Sequence, residues 1–225
     1  MKHIFDKRYP VTNSLLALTI LVFFLIQILR FGKTTEALTI FEFGGMYGEV
    51  VRYDPGQLWR LVSPTFVHIG WEHFIFNGIT LLGLGYQLER IFGSRRFFLI
   101  YFLSGIMGNT FVMFFTPKVV GAGASTSLFG LFAAMALLKK FSHSPYLQIL
   151  GQRYMILLAI NLALGLFSPA ISMAGHIGGA VGGCLTVLVF PPRMEKDLFS
   201  GQQIFFGLMS YLIVFVVLLG MFYMI

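Results

Sequence analysis

The sequence predicts an all-α polytopic membrane protein, and three observations carry that prediction. The 225 residues are 57% hydrophobic and only 11% charged, with a mean hydropathy of +0.82, far more apolar than a soluble core requires. Seven apolar runs recur along the chain, each near the ~20 residues that cross ~30 Å of hydrocarbon as a helix. The 16 lysines and arginines outnumber the 9 aspartates and glutamates, but they lie between the apolar runs and form no basic stripe. They read as topology signals, and a nucleic-acid partner is not expected. Cys184 is the only cysteine and falls in an apolar run, which excludes an internal disulfide and a multi-cysteine metal site.

The elements follow in order. After a short N-terminal stretch, 1–10, the first run covers 11–29. It lacks a small-residue cleavage site and exceeds a signal h-region, so it is expected to stay as an anchor, with the mature chain starting near Met1. A long loop, 31–70, mixes Phe41, Phe43, Met46, Tyr47 and Trp59 with charges, a content suited to a segment lying in the membrane interface. Runs at 71–88, 97–115, 121–138, 151–167 and 171–190 come next, that at 151–167 being the shortest. A linker at 191–203 leads to a last run, 204–225.

Charge orients these spans. Lys2, Lys7 and Arg8 precede the first run, and Arg90, Arg95 and Arg96 follow the second. Lys139, Lys140 and Arg153 follow the fourth, and Arg193 and Lys196 the sixth. These ends share one side, which the positive-inside rule makes the cytoplasm. The N-terminus is then cytoplasmic and the C-terminus extracytoplasmic.

In that layout the second, fourth and sixth spans all enter from outside. Asn77, Ser125 and His176 then fall four to six residues past their span starts, roughly 6 to 9 Å deep at ~1.5 Å per residue. A histidine inside a spanning helix faces a cavity or a partner, and a serine hydroxyl at the same depth supplies one. A serine is a weak nucleophile until a base takes its proton, and imidazole suits that task and the later protonation of a leaving amine. Acidic residues nearest His176 are Glu195 and Asp197, at the far end of its span. Ser125 and His176 therefore read as a dyad, not a triad.

A tetrahedral intermediate needs hydrogen-bond donors for its oxyanion. His73 and Asn77 stand at i and i+4 on one helix face, and Ser125, near a helix start, adds its own free N–H. Gly175, Gly179 and Gly183 repeat every fourth residue, with Gly178 and Gly182 alongside. Such a face admits a close helix, and Gly123 and Gly130 are expected to answer it. Phe129, one turn after Ser125, is expected to pack on the His176 ring. Taken singly, each has an ordinary alternative: Ser125 as helix glue, His176 as part of a proton path, His73 and Asn77 as helix-entrance caps. Ser127 reads as a small packing residue, and His68 and His143 as loop residues.

Taken in order, these segments carry a resemblance. Trp59-Arg60-Leu61-Val62-Ser63-Pro64-Thr65-Phe66-Val67-His68, Trp71-Glu72-His73-Phe74-Ile75-Phe76-Asn77, Leu84-Gly85-Tyr86-Gln87-Leu88-Glu89 with Gly93, and the Ser125 and His176 segments resemble the rhomboid family of intramembrane serine proteases over about 59–183. The resemblance implies a rhomboid-like six-helix bundle over 11–190 with an additional C-terminal transmembrane helix, as in a bacterial variety. It implies Ser125 as nucleophile, His176 as base, His73 and Asn77 as oxyanion donors, and Trp59-Arg60 as a structural signature of the external loop. Thr126 and Ser127 depart from the Gly and Ala that commonly follow the serine, and a β-branched Thr126 narrows backbone freedom there. Expected partners are single-span membrane protein substrates, cut near the outer face of a bacterial plasma membrane, and the lipid bilayer itself. No organic cofactor and no metal is expected. The alternatives are an inactive rhomboid-like protein that binds transmembrane helices, and a proton-linked transporter, for which the span interiors offer no further charged relay.

Overall fold

The computed structural model describes residues 6–168 and 171–224; Met1, Lys2 and the last residue of the expected seventh span, Ile225, lie outside them. The described residues form helices α1 (Pro10–Leu29), α2 (Ala37–Glu42), α3 (Gly48–Tyr53), α4 (Gly70–Phe92), α5 (Ser94–Phe115), α6 (Ser125–Phe141), α7 (Pro145–Gly165), α8 (Met173–Val189) and α9 (Gly201–Met224), and no strand. Each of the seven apolar runs has most of its described residues in one long helix, and 121–124 are the longest non-helical part. By length and hydropathy α1, α5, α7 and α9 suffice to cross a membrane. Helices α6 and α8 have 17 residues each, a rise of about 25 Å at ~1.5 Å per residue, at the short end of the lengths that cross hydrocarbon.

Local chemistry sets the ends. Pro10 and Pro145 open α1 and α7 at positions whose N–H groups have no helical acceptor. Pro145 also explains why α7 starts six residues before the expected 151. Residues 145–150, Gln148 among them, extend the helix ahead of its apolar run, so the shortest expected span becomes a 21-residue helix. Gly93, at φ +79°, separates α4 from α5, a conformation that costs glycine little.

Helix α6 lies among α5, α7 and α8. The glycine face of α8 makes this possible: a Cβ at Gly179 would strike the Thr126 carbonyl, and one at Gly183 would strike the backbone of Gly130. Gly130 meets the expectation of an answering glycine. Gly123 does not; it packs against the His73 ring instead.

Buried polar groups tie the periphery together. The Glu89 carboxylate, 3% exposed, accepts hydrogen bonds from the backbone of Val11 and Thr12 and the hydroxyls of Thr12 and Ser94, at 2.6 to 3.0 Å. Four donors offset the cost of burying the charge and join the start of α1 to the α4–α5 turn. In the external segment, Arg60 donates to the carbonyls of Phe41 and Gly45, both at 2.7 Å, and lies over the Phe41 and Trp59 rings. Met46 and Gly121 exchange backbone hydrogen bonds at 2.7 and 2.8 Å, fixing that segment to the approach to α6. Helix α9 packs on α8 and α5. The Tyr223 hydroxyl donates to Val51 O at 3.2 Å, and the Arg52 guanidinium lies 4.6 Å from the Phe222 ring centre.

Candidate active site

Ser125 is the first residue of α6. The sequence count treats 121–124 as helical, whereas this stretch is non-helical, with Gly123 at φ +123°. Gly121 is bound to Met46, and Gly123 donates to Pro64 O at 2.8 Å, so these backbone groups are committed before the helix begins. The depth of Ser125 therefore does not follow from helical rise past 121. No side chain caps α6, so its first N–H groups have no side-chain acceptor at the positive end of the helix dipole.

His176 is the fourth residue of α8 and is 7% exposed. Its ring stacks on Phe129 with centroids 3.7 Å apart and planes inclined by 12°. Thr126, immediately after Ser125, touches the glycines on either side of His176: a Cβ at Gly175 would come 3.0 Å from Thr126 Cγ2, and one at Gly179 would overlap the Thr126 carbonyl. Ser125 and His176 thus occupy adjoining positions on a close α6–α8 contact. Among the described residues no hydrogen bond joins them, and His176 Nδ1 is buried without a partner. In hydrolases without substrate this bond is commonly long and closes in the reactive complex.

The third wall is α4. Phe23 of α1 stacks on Phe74 at 4.0 Å and meets Trp71 edge-on, seating the first turn of α4. From that turn the His73 ring reaches Gly123; a Cβ there would come 2.6 Å from His73 Nε2. Only glycine satisfies both this approach and the positive φ. Asn77 is 7% exposed and donates one amide hydrogen to His73 O at 2.8 Å, which leaves its second amide hydrogen for another acceptor.

His68 was expected to be a loop residue. It does lie between helices, but it is fully buried and bound on both sides. Nε2 accepts from the Ala124 N–H at 3.3 Å while Nδ1 lies 3.3 Å from Phe66 O, a pattern met by the neutral Nδ1–H tautomer. Burial, aided by nearby His73, pushes its pKa down to about 3. His68 is therefore a fixed neutral brace for the residue before Ser125. Sequence gave little sign of this, because its burial comes from packing against a distant segment. His143 does lie in the loop joining α6 and α7, where its N–H donates to Glu195 at 2.9 Å. Among the described residues no three His, Cys, Asp or Glu side chains gather where a metal could bind.

Long apolar helices packed around this cluster make the molecule a multi-pass membrane protein. Residues 55–193 match the Rhomboid domain of the rhomboid family, and the chain belongs to that family. Rhomboid protease GluP of Bacillus subtilis (strain 168) is 36% identical over 172 residues, which are 76% of this chain and 33% of GluP. Putative rhomboid protease YdcA of the same organism is 29% identical over 193 residues, 85% of this chain and 94% of YdcA. Rhomboid-like protease 3 of Toxoplasma gondii is 30% identical over 154 residues, 67% of this chain and 59% of that protein. The chain thus spans about a third of the length of GluP and nearly all of YdcA.

Proposed function

We propose that this chain is an intramembrane serine endopeptidase that cleaves transmembrane segments of single-span proteins near the outer face of a bacterial plasma membrane. The observation that carries the reading is the junction of three elements: Ser125 at the uncapped start of α6, His176 stacked on Phe129, and His73 seated on Gly123.

In this reading His176 takes the Ser125 hydroxyl proton as the oxygen attacks the scissile carbonyl. The oxyanion is held by the Ser125 N–H, the free Asn77 amide hydrogen and His73. Collapse breaks the C–N bond, and the proton on His176 passes to the leaving amine. Water, giving its proton to His176, then attacks the ester on Ser125; the C–Oγ bond breaks, His176 returns the proton to the Ser125 oxygen, and the carboxylic acid is released. Phe129 holds the imidazole plane, and no carboxylate is assigned to orient it.

A substrate helix must unwind before its peptide bond can react, because its backbone groups are internally paired. The gap between α4 and α7 suits lateral entry. Tyr154 of α7 bonds Gln87 of α4 near the end remote from Ser125, while the opposite halves expose Phe76 and Ile79 on α4 and Ile160 and Leu164 on α7.

The test is cleavage of a model single-span substrate by the protein reconstituted in vesicles. Ser125→Ala and His176→Ala are expected to abolish cleavage while melting like the parent. Unimpaired cleavage by either variant would remove the proposed dyad. No cleavage by the parent, with intact helix binding, would favour the inactive rhomboid-like alternative.

A further inference from the structure

At the end of the bundle remote from Ser125, a cavity of about 530 Å³ opens between α6, α7 and α8. Its walls are Ala133, Ala136 and Leu137 of α6, Met155 and Leu158 of α7, and Cys184 of α8. The backbone geometry creates it. Helix α7 crosses α6 tightly at Gly151, where a Cβ would come 2.6 Å from Lys139 N, and α8 lies on α6 through its glycines. Helices α7 and α8 both lean on α6 but touch each other little, and the two alanines floor the trough between them.

The trough is apolar and opens sideways on a membrane-embedded bundle, so an acyl chain is the ligand that covers it without desolvating polar groups. Its mouth is different. Lys139 and Lys140 line that end, are exposed, and form no ion pair among the described residues. Glu195, on the linker beside the α6–α7 turn, is already engaged by Ser142, His143 and Ser144. From Ala133 to Lys139 the helix rises about 9 Å at ~1.5 Å per residue, the separation of a phosphate from the upper part of its own acyl chain. Basic pockets between spanning helices recognise anionic head groups in this way.

We propose that this trough binds one anionic glycerophospholipid, an acyl chain lying on Ala133 and Ala136 between α7 and α8 and the phosphate on Lys139 and Lys140. The site is independent of the Ser125 chemistry and would persist in a Ser125→Ala protein.

Native mass spectrometry of the full chain, titrated with palmitoyl-oleoyl phosphatidylglycerol and with matched phosphatidylcholine, tests it. Phosphatidylglycerol is expected to be retained preferentially, one molecule per chain. Lys139→Gln and Lys140→Gln should each weaken retention roughly fivefold. Ala136→Trp should also abolish it with both lysines in place. Because Cys184 is the only cysteine and lines the trough, a wild-type measurement guards against misfolding of that variant. Alkylation of Cys184 by a bilayer-soluble maleimide should be slower in phosphatidylglycerol vesicles than in phosphatidylcholine vesicles. Equal retention of the two lipids, unchanged retention by the lysine variants, or equal alkylation rates would overturn the proposal. Retention that falls with the lysines but survives a folded Ala136→Trp would reduce it to surface charge, which also contradicts it.

Discussion

At the scale of single residues, the site rests on groups whose polar atoms are already committed. His68 shows this most clearly, since its imidazole must stay neutral to accept from the Ala124 N–H. Its folded pKa of about 3 lies below the ordinary 6.5, so between these values the unfolded chain binds a proton that the folded one does not. Stability is then fully present above about pH 6.5 and falls as pH drops toward 3. His68→Gln is expected to flatten that acid slope in melting curves, and an unchanged slope would deny His68 this role. Asn77→Ala should lower turnover roughly 100- to 1,000-fold, the effect of removing one oxyanion donor, equivalent to about 2.7 to 4 kcal/mol. A drop confined to KM would instead mark Asn77 as a substrate-binding or structural residue. The stacking of Phe129 on His176 was legible because both belong to regular helices, whereas the depth of Ser125 was not, because 121–124 stays non-helical. His68 and the contact of Gly123 with His73 were not legible either, because both arise from a loop folding across 50 residues of sequence.

Among elements, helix identity was legible and helix ends were less so. Hydropathy located seven long helices, but Pro145 extends α7, and the glycine stretch before Ser125 stays non-helical because Met46 and Pro64 claim its backbone. The four-residue glycine repeat correctly marked the α8 face that meets α6. Gly183→Val should destabilise the protein by about 1 to 3 kcal/mol or more through overpacking against Gly130, and melting temperature would report it. A neutral result would mean that α6 and α8 can separate without loss. Helix α9 could be recognised as apolar, but its partner could not. Tyr223 and Phe222 grip α3, so Tyr223→Phe should cost about 1 kcal/mol and speed limited proteolysis within 31–70. Unchanged proteolysis would leave α9 as a lipid-facing addition only.

For the whole molecule, the fold class followed from composition alone, while the arrangement of helices needed long-range contacts that no sequence window contains. Glu89 and Glu195 illustrate the gap. In the sequence Glu89 is one member of the 84–89 segment and Glu195 only an acidic residue remote from His176, yet Glu89 joins α1, α4 and α5, and Glu195 closes the α6–α7 turn with the linker before α9. Glu89→Ala leaves several buried donors unmatched and is expected to cost about 3 kcal/mol, read as a lower melting temperature. The central claim is that this membrane-embedded scaffold activates Ser125 through His176. A fluorophosphonate, which bonds covalently only to an activated serine, tests it most directly: the intact protein, digested and sequenced by mass spectrometry, should carry the adduct on Ser125, and His176→Ala should carry none. An unlabelled Ser125 in the folded parent protein, or labelling that survives the loss of His176, would contradict the account.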